Sequence, residues 1–227
     1  MTAAMENPAG LIDHTLLSPV ATAAQIATLC EEAVEYGFAS VCVPPVYAPR
    51  AAELLYGSTV RVGSVVSFPC GYSSSRQKIQ ETVDLIAAGV EEIDMVAHIG
   101  GLLGQGSVQV EEEIAQVVMA ARQTPVKVII ECCYLTPDLM RQATEMVVRA
   151  GAAYVKTSTG YGPSGAVLDD VRLLVKTAAG RIGVKAAGGI RTLQECRDFI
   201  AAGASRIGTS SGIEIVNQWK NLQSTWS

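Results

Sequence analysis

Two lysines in consecutive apolar segments are the residues best suited to chemistry in this sequence. Lys156 ends the segment 153–156, and Lys185 lies in the segment 182–186. On neighbouring strands the two ammonium groups would lie about 5 Å apart. Because like charges at that distance repel each other, the pKa of one lysine falls below its usual ~10.4, and a neutral amine forms near pH 7. A neutral amine attacks carbonyl groups, so the pair predicts nucleophilic catalysis.

The same lysines admit a structural interpretation, in which carboxylates neutralise them inside the protein. Buried charges persist when they are paired in this way, and acidic residues do stand in or after other apolar segments, at Asp13, Asp94 and Glu131. We favour the catalytic interpretation, because polar residues at the carboxyl ends of barrel strands form the active sites of barrel enzymes.

A fourfold repeat indicates the elements that position these residues. In each copy a helix-like segment ends in a glycine and a short apolar segment follows, at Gly37, Gly89, Gly151 and Gly203. A glycine is suited to the left-handed conformation that closes a helix. The four glycines are 52, 62 and 52 residues apart, which leaves room for two βα units in each interval. Eight strands are therefore predicted.

The predicted fold is a (β/α)8 TIM barrel that forms a single domain over residues 1–227. The length suits one barrel and is too short for two large domains. Helix starts separate the apolar segments, since Thr22, Ser74 and Thr192 each begin a capping box and Thr136 precedes a proline. The predicted strands are mostly rich in Val and Ile, as strands buried on both faces are, and they span residues 11–14, 40–43, 61–67, 92–96, 126–131, 153–156, 182–186 and 205–208.

Composition excludes several classes of protein. The net charge is −5 and no run of Lys and Arg is present, which argues against a nucleic-acid partner. No apolar stretch is long enough to span a membrane, and the segment 1–10 has no basic start or apolar stretch typical of a signal peptide. We therefore expect a cytoplasmic protein whose six cysteines are free thiols. We expect no metal and no cofactor, and a homo-oligomer with a dimer favoured.

Two glycine-containing turns predict a phosphate site. The segment Gly208–Gly212 leads from the last predicted strand into a predicted short helix, and Gly188 and Gly189 follow Lys185. Backbone N–H groups at a helix start bind anions, and the loops after strands 7 and 8 of such barrels often hold a phosphate. The predicted phosphate site therefore lies between these two turns.

Six segments of the chain resemble the deoxyribose-phosphate aldolase family of class I, Schiff-base aldolases. The most specific is Val155–Gly160, because a five-residue match to Lys-Thr-Ser-Thr-Gly arises by chance on the order of 10⁻⁴ times per chain. The resemblance runs from about Leu11 to Val216. The remaining segments are Leu11–Thr15, Glu92–Val96, Val126–Glu131, Gly183–Ile190 and Ile207–Gly212.

The resemblance implies a role for each candidate residue. Lys156 would form the Schiff base, and Lys185 would depress its pKa. Asp94 would be the general acid and base, and Asp13 would support the proton relay. The substrates would be a small sugar phosphate and an aldehyde, in the reversible cleavage of 2-deoxy-D-ribose 5-phosphate to acetaldehyde and D-glyceraldehyde 3-phosphate. The residues that it implies in phosphate binding are Gly188, Gly189, Ser210 and Ser211.

The chain departs from the family pattern at several positions around the predicted site. Pro44 and His98 stand where Asn is frequent, and Cys132 stands where Thr is usual. Tyr161 follows Gly160 where some relatives place Lys, which removes one cation from the predicted phosphate site. Cys42 ends the second predicted strand and could be either a buried thiol or a reactive one.

Two other classes of barrel share some of these features. A phosphate-binding isomerase or synthase would share the two glycine-containing turns, but it would not require two strand-end lysines beside Asp94. A non-catalytic sugar-phosphate-binding barrel would be expected to lack Lys156 or Asp94. Both residues are present in this sequence, which favours the aldolase.

Overall fold

Eight parallel strands close into a barrel in the order of the chain. The computed structural model describes residues 6–104 and 107–224, so the predicted domain 1–227 and the segment 1–10 extend partly outside the described residues. Each strand is hydrogen-bonded to the next, and β8 pairs with β1. The predicted (β/α)8 TIM barrel is therefore confirmed. The strands are β1 Ile12–Thr15, β2 Ser40–Val43, β3 Arg61–Val66, β4 Glu92–Val96, β5 Val126–Ile129, β6 Tyr154–Lys156, β7 Gly183–Ala187 and β8 Arg206–Thr209.

Helices follow the strands and surround the barrel. Two helices, α4 and α5, connect β4 to β5. A short 3₁₀ turn at 8–11 precedes β1, and two others, at 45–47 and 132–134, lie in the connections after β2 and β5. No helix within the described ranges is long and apolar enough to cross a membrane. The α-helices are α1 Ala23–Tyr36, α2 Ala48–Leu54, α3 Ser75–Ala87, α4 Ile99–Leu103, α5 Ser107–Ala121, α6 Pro137–Arg149, α7 Leu168–Ala178, α8 Leu193–Ala201 and α9 Gly212–Ser224.

The predicted helix ends are present in the structure. Thr22, Ser74 and Thr192 each accept a hydrogen bond from the N–H three residues later, and the Gln or Glu at that position accepts one in return. Each such box satisfies two backbone donors that a helix start leaves free. The four repeat glycines all adopt a positive φ, between 71° and 101°, as expected for residues that turn the chain from a helix into a strand.

Two predicted strands extend too far, for one shared reason. The strand predicted at 61–67 ends at Val66, and the strand predicted at 126–131 ends at Ile129. Ser67 has a φ of 54° and Glu131 a φ of 51°. A left-handed residue turns the chain out of the extended conformation, and the apolar pattern does not reveal where that turn occurs.

Apolar and charged residues occupy different layers of the fold. The helices cover the outer face of the barrel with Ile, Leu and Val side chains, among them Ile26, Ile114 and Leu174. Inside the barrel, by contrast, two of the largest fully buried side chains are lysines, Lys127 and Lys185. Charged groups inside a barrel require counter-charges at hydrogen-bonding distance, and these charged groups form the site described next.

Candidate active site

The alternation of side chains along the strands brings the predicted catalytic residues together inside the barrel. Successive residues of a strand point to opposite faces, and Lys156 of β6 lies beside Lys185 of β7 in the parallel register. Asp94 of β4 lies beside Lys127 of β5 in the same way. Asp13 of β1 is fully buried on the opposite side of the same interior. The structure thus gathers Asp13, Asp94, Lys156 and Lys185 at one place.

Asp94 lies at the centre of this group. Its Oδ2 accepts hydrogen bonds from Lys156 Nζ at 2.7 Å and from Lys185 Nζ at 2.6 Å. Its Oδ1 accepts a hydrogen bond from Lys127 Nζ at 3.0 Å. The two candidate lysines therefore share one carboxylate oxygen, which places their amines as close together as the sequence predicts.

A second layer of charges lies towards the amino ends of the strands. Lys185 Nζ is 2.5 Å from Asp13 Oδ2, and Arg206 donates to Asp13 Oδ1 at 2.6 Å. Lys127 donates to Glu92 Oε2 at 2.5 Å, and Arg206 also reaches Glu92 at 3.2 Å. We call these seven residues the interior charge cluster: Asp13, Glu92, Asp94, Lys127, Lys156, Lys185 and Arg206.

The cluster contains three carboxylates and four basic groups. If all seven were ionised, one positive charge would have no counter-charge in a place from which water is excluded. An unbalanced buried charge is costly, and a buried lysine avoids this cost by losing its proton. Charge balance is reached when one of the four is neutral. Arg61 also contacts Glu92, at 3.1 Å, but its side chain is about half exposed, so water screens its charge.

Of the four basic groups, Lys156 is the one whose surroundings favour the neutral form. Burial lowers its pKa, and the positive charge of Lys185 lowers it further against the attraction of Asp94. For Lys185 burial acts in the same direction, but Asp13 and Asp94 outweigh it and raise the pKa above the usual value. The pKa values of the two amines therefore move in opposite directions, and the lowered one belongs to one lysine of the pair, as the sequence predicts. Burial lowers the pKa of Lys156 more than the repulsion by Lys185 does, whereas the prediction from the sequence considers only that repulsion.

The two aspartates of the cluster remain ionised. Burial alone would raise the pKa of Asp94, but the charges of Lys127 and Lys185 and the hydrogen bond from Lys156 hold it well below its usual range. Burial also opposes ionisation of Asp13, and the cations beside it again hold its pKa below the ordinary value. Asp94 is therefore a weakly basic carboxylate that accepts hydrogen bonds from both lysines on one oxygen, so a proton that it takes up can pass between these groups.

A pocket opens above Lys156 at the carboxyl ends of the strands. Its volume is about 390 Å³, and Lys156 is the one lysine of the cluster in its wall. The loops after β1, β6, β7 and β8 surround it, and Gly188, Gly189 and Ser210 line it together with Arg191. Such a location is typical of active sites in βα barrels. The pocket can hold a molecule with a carbonyl at Lys156 and its other end at the glycines.

Backbone donors at that far end have no acceptor among the described residues. Within residues 6–104 and 107–224, the N–H groups of Gly188, Gly189 and Ser210 make no hydrogen bond to another residue. Gly188 and Gly189 both have a positive φ, of 94° and 81°. Successive N–H groups in such a conformation form a concave donor surface that suits an anion. The turns from which the sequence predicts a phosphate site thus present backbone donors to the pocket.

Ser211 differs from the other three predicted phosphate-binding residues. It does not line the pocket, and its N–H donates to Thr209 Oγ1 at 2.9 Å. The carbonyl of Ser211 begins α9 by accepting from the N–H of Ile215. The helix that follows is 13 residues long, so the prediction of a short helix was wrong.

The segment after Lys156 is held firmly on the neighbouring strands. Glu131 accepts hydrogen bonds from both the N–H and the hydroxyl of Thr159. Tyr161 donates from its hydroxyl to the carbonyl of Leu17 at 2.8 Å, and its ring meets Phe68 edge-on at 5.4 Å. Tyr161 therefore joins loops from different sides of the pocket, although it brings no charge there.

The other departures from the family pattern lie at the edges of the site. Cys42 is buried beside the cluster, and burial raises the pKa of its thiol to about 11. A thiol with a raised pKa is a weak nucleophile. His98 is exposed at the start of α4, and His14 is hydrogen-bonded to Glu32 at 2.9 Å. Within the described ranges no cluster of His, Cys, Asp and Glu could hold a metal ion.

Sequence reasoning missed three members of the interior charge cluster. The sequence predicts no role for three residues that lie inside predicted strands: Lys127, Glu92 and Arg206. A signal was available, since Glu92 and Lys127 lie at even spacing from Asp94 and Glu131 along their strands. In a two-residue period these positions face the same side of the sheet, and these two additional charges pointing into the barrel indicate a network.

Comparisons with known proteins agree with the geometry. Residues 9–218 match the family described as DeoC/LacD family aldolase. The deoxyribose-phosphate aldolase of Syntrophotalea carbinolica is 49% identical over 95% of this chain and 98% of that protein. The deoxyribose-phosphate aldolase of Deinococcus radiodurans is 49% identical over 94% of this chain and 97% of that protein. The tetrameric structure of deoxyribose phosphate aldolase from Aeropyrum pernix is 35% identical, covers 94% of this chain and 91% of that chain, and superposes with a TM-score of 0.88.

Proposed function

The chain belongs to the DeoC/LacD family of aldolases and cleaves 2-deoxy-D-ribose 5-phosphate, and from this premise we propose that Lys156 is the amine that forms the Schiff base. One observation carries the assignment. Of the three lysines in the interior charge cluster, Lys156 lines the pocket, whereas Lys127 and Lys185 lie below it. A substrate carbonyl in the pocket can therefore reach Lys156 without displacing another side chain.

The neutral amine begins the reaction by adding to the substrate aldehyde at C1. Loss of water leaves a cationic iminium, which withdraws electrons from the neighbouring carbon. The hydroxyl on C3 then loses its proton, the bond between C2 and C3 breaks, and its electron pair moves towards the iminium. Glyceraldehyde 3-phosphate leaves as the aldehyde, and the remaining enamine takes a proton at C2 before water releases acetaldehyde. The lysine thus provides the electron sink for this cleavage.

We assign the proton transfers to Asp94, with help from its partners. Asp94 Oδ2 is 2.7 Å from Lys156 Nζ, so the carboxylate lies beside the nitrogen on which the intermediates form. Lys185 Nζ donates to the same oxygen and stays protonated, because Asp13 and Asp94 raise its pKa. Asp13 supports the relay by holding Lys185 in place. Lys185 therefore has two tasks: it keeps Lys156 neutral, and it stabilises the charge on Asp94.

We also propose that the Gly188, Gly189 and Ser210 end of the pocket binds the phosphate, and that Ser211 acts by beginning α9. The free N–H groups and the start of α9 both attract an anion. A phosphate held there is far from the reacting carbons, so its binding energy orients the substrate.

Borohydride trapping with acetaldehyde tests the nucleophile. Borohydride reduces an iminium to a stable secondary amine, so the expected product is one ethyl adduct on the peptide that contains Lys156, with loss of activity. Mass spectrometry of the digested protein reads out the position. Labelling mainly on Lys185, Lys127 or surface lysines would contradict the assignment of Lys156, while leaving the family membership intact.

A charge placed at Ser210 tests the phosphate site. Ser210→Asp is expected to raise the KM for deoxyribose 5-phosphate by about tenfold or more through like-charge repulsion, with a much smaller effect on unphosphorylated deoxyribose. Ser210→Asn is the matched control, because the Asn side chain has nearly the same shape as that of Asp but carries no charge. If the Asp variant affects both sugars equally, the phosphate binds elsewhere.

Three further properties remain proposals. We propose that residues 1–227 form one domain, that the protein is cytoplasmic, and that it assembles as a homo-oligomer with a dimer favoured. Support for assembly comes from exposed apolar side chains on the outside of the barrel, such as Met119 and Val108, and from the tetramer formed by the relative from Aeropyrum pernix. Sedimentation of the purified protein measures its oligomeric state directly.

A further inference from the structure

Gly165 lies at an unusually close contact between two backbone segments beside the pocket. A Cβ added at Gly165 would lie 2.1 Å from the carbonyl oxygen of Gly188 and 2.5 Å from its carbonyl carbon. Both are backbone atoms, so no side chain could rotate away to make room. Gly165 has no positive φ, so its backbone conformation would accept any residue. The need for glycine at this position is therefore steric alone.

The segment that contains Gly165 wraps around Gly188. The N–H of Ala166 donates to the carbonyl of Gly188 at 3.0 Å. On the other side, Ser158 Cβ would be 3.4 Å from a Cβ on Gly188. A Cβ added at Gly160 would lie 3.9 Å from Gly188 Cα. The stretch 158–166 thus holds Gly188 from several directions.

This contact connects the two ends of the pocket. The stretch 158–166 begins directly after Lys156, and Gly188 presents the free backbone donors proposed to bind phosphate. Because the carbonyl of Gly188 is occupied by Ala166, the peptide that joins Gly188 to Gly189 has a fixed orientation. The N–H of Gly189 belongs to that same peptide and must point the opposite way from the carbonyl.

We propose that Gly165 is a positioning residue for the phosphate site, which lets the segment after Lys156 close onto Gly188 and so fixes the direction of the Gly189 N–H group relative to the nucleophile. This inference rests on the proposed phosphate site. Its ligand is the phosphate group of the sugar substrate. The contact sets the distance between the reacting carbon and the phosphate, which is the kind of alignment that a shift of about 1 Å can impair strongly.

Replacing Gly165 by alanine tests the proposal. The added methyl group must push the 158–166 stretch away from Gly188, so the KM for deoxyribose 5-phosphate is expected to rise about tenfold or more. Cleavage of unphosphorylated deoxyribose should change by less than about twofold, and acetaldehyde with borohydride should still label Lys156 fully. Gly10→Ala is the matched control, because a Cβ there meets open space and Gly10 has no positive φ.

A second variant keeps the test decisive if Gly165→Ala folds poorly. Ala166→Gly adds no atoms and retains the N–H that binds Gly188, but it loosens the backbone. A smaller rise in KM, again only for the phosphorylated sugar, would support the proposal. Equal effects on both sugars, or none in either variant, would overturn it.

If Ser210→Asp discriminates between the sugars while the Gly165 and Ala166 variants do not, the phosphate site stands and the positioning role is wrong. If Ser210→Asp does not discriminate, the phosphate site itself is misplaced.

Discussion

Replacing Lys156 by methionine is expected to lower kcat for deoxyribose 5-phosphate by about 10⁴-fold or more, as the loss of a covalent nucleophile commonly does. Methionine has a similar length and no amine, so it cannot form an iminium. Lys156→Arg should be equally inactive, since the guanidinium remains protonated. Steady-state kinetics on both variants, with circular dichroism to confirm folding, provides the measurement.

The two variants should differ in stability, and this difference tests the charge balance. Methionine matches the neutral amine, so three carboxylates still face three cations. Arginine adds a fourth permanent charge to the buried cluster, and an uncompensated buried charge costs roughly 3 kcal/mol. Urea unfolding near pH 8 should therefore show Lys156→Arg to be less stable than Lys156→Met. Equal stabilities would mean that the cluster tolerates the extra charge and that Lys156 need not be neutral.

Replacing Lys185 by leucine is expected to move the acidic limb of kcat/KM to higher pH by about one unit or more. We expect the wild-type limb to report the loss of a proton from Lys156, whose pKa burial and Lys185 lower. Without Lys185, repulsion on the ammonium form of Lys156 disappears, and three carboxylates face only two other cations. Both effects favour protonation, so activity should be low at pH 7 and recover partly in alkali. The recovery is partial because burial still acts.

Asp13→Asn provides the opposite change as a control. Removing this carboxylate leaves a surplus of positive charge around Lys156, so the acidic limb should move to lower pH. A uniform loss of activity at every pH in Lys185→Leu would show that Lys185 acts by transferring protons or touching substrate. Shifts of the same sign in both variants would rule out charge as the cause.

The sequence predicts most of the fold because its signals are local. A glycine that ends a helix, an apolar strand and a capping box each depend on neighbouring residues, and the four repeat glycines therefore locate the βα units correctly. The pair Lys156 and Lys185 was recognisable for the same reason, since each stands near the end of a predicted strand. The ends of β3 and β5 were missed because Ser67 and Glu131 adopt left-handed conformations that their residue types do not indicate.

The parts of the site that the sequence did not reveal depend on contacts across the barrel. Asp94 and Lys185 are 91 residues apart in the chain and share a hydrogen bond, and Arg206 and Asp13 are 193 residues apart. No local pattern states which charges will meet after the barrel closes. The contact between Gly165 and Gly188 is likewise not indicated by any local pattern, because the need for glycine at position 165 comes from a backbone segment distant in the sequence.

The shared counter-charges have a consequence for how this enzyme can change over generations. Asp94 has three lysines as partners, and Asp13 and Glu92 both depend on Arg206. A substitution at any of these positions alters the setting of the others, so effects on stability and rate should not add up independently. During evolution, substitutions inside the barrel are then expected to accumulate as compensating pairs, whereas positions on the outer helices can be substituted one at a time. Attempts to refit this barrel for another carbonyl substrate should begin at the pocket loops and leave its charged interior intact.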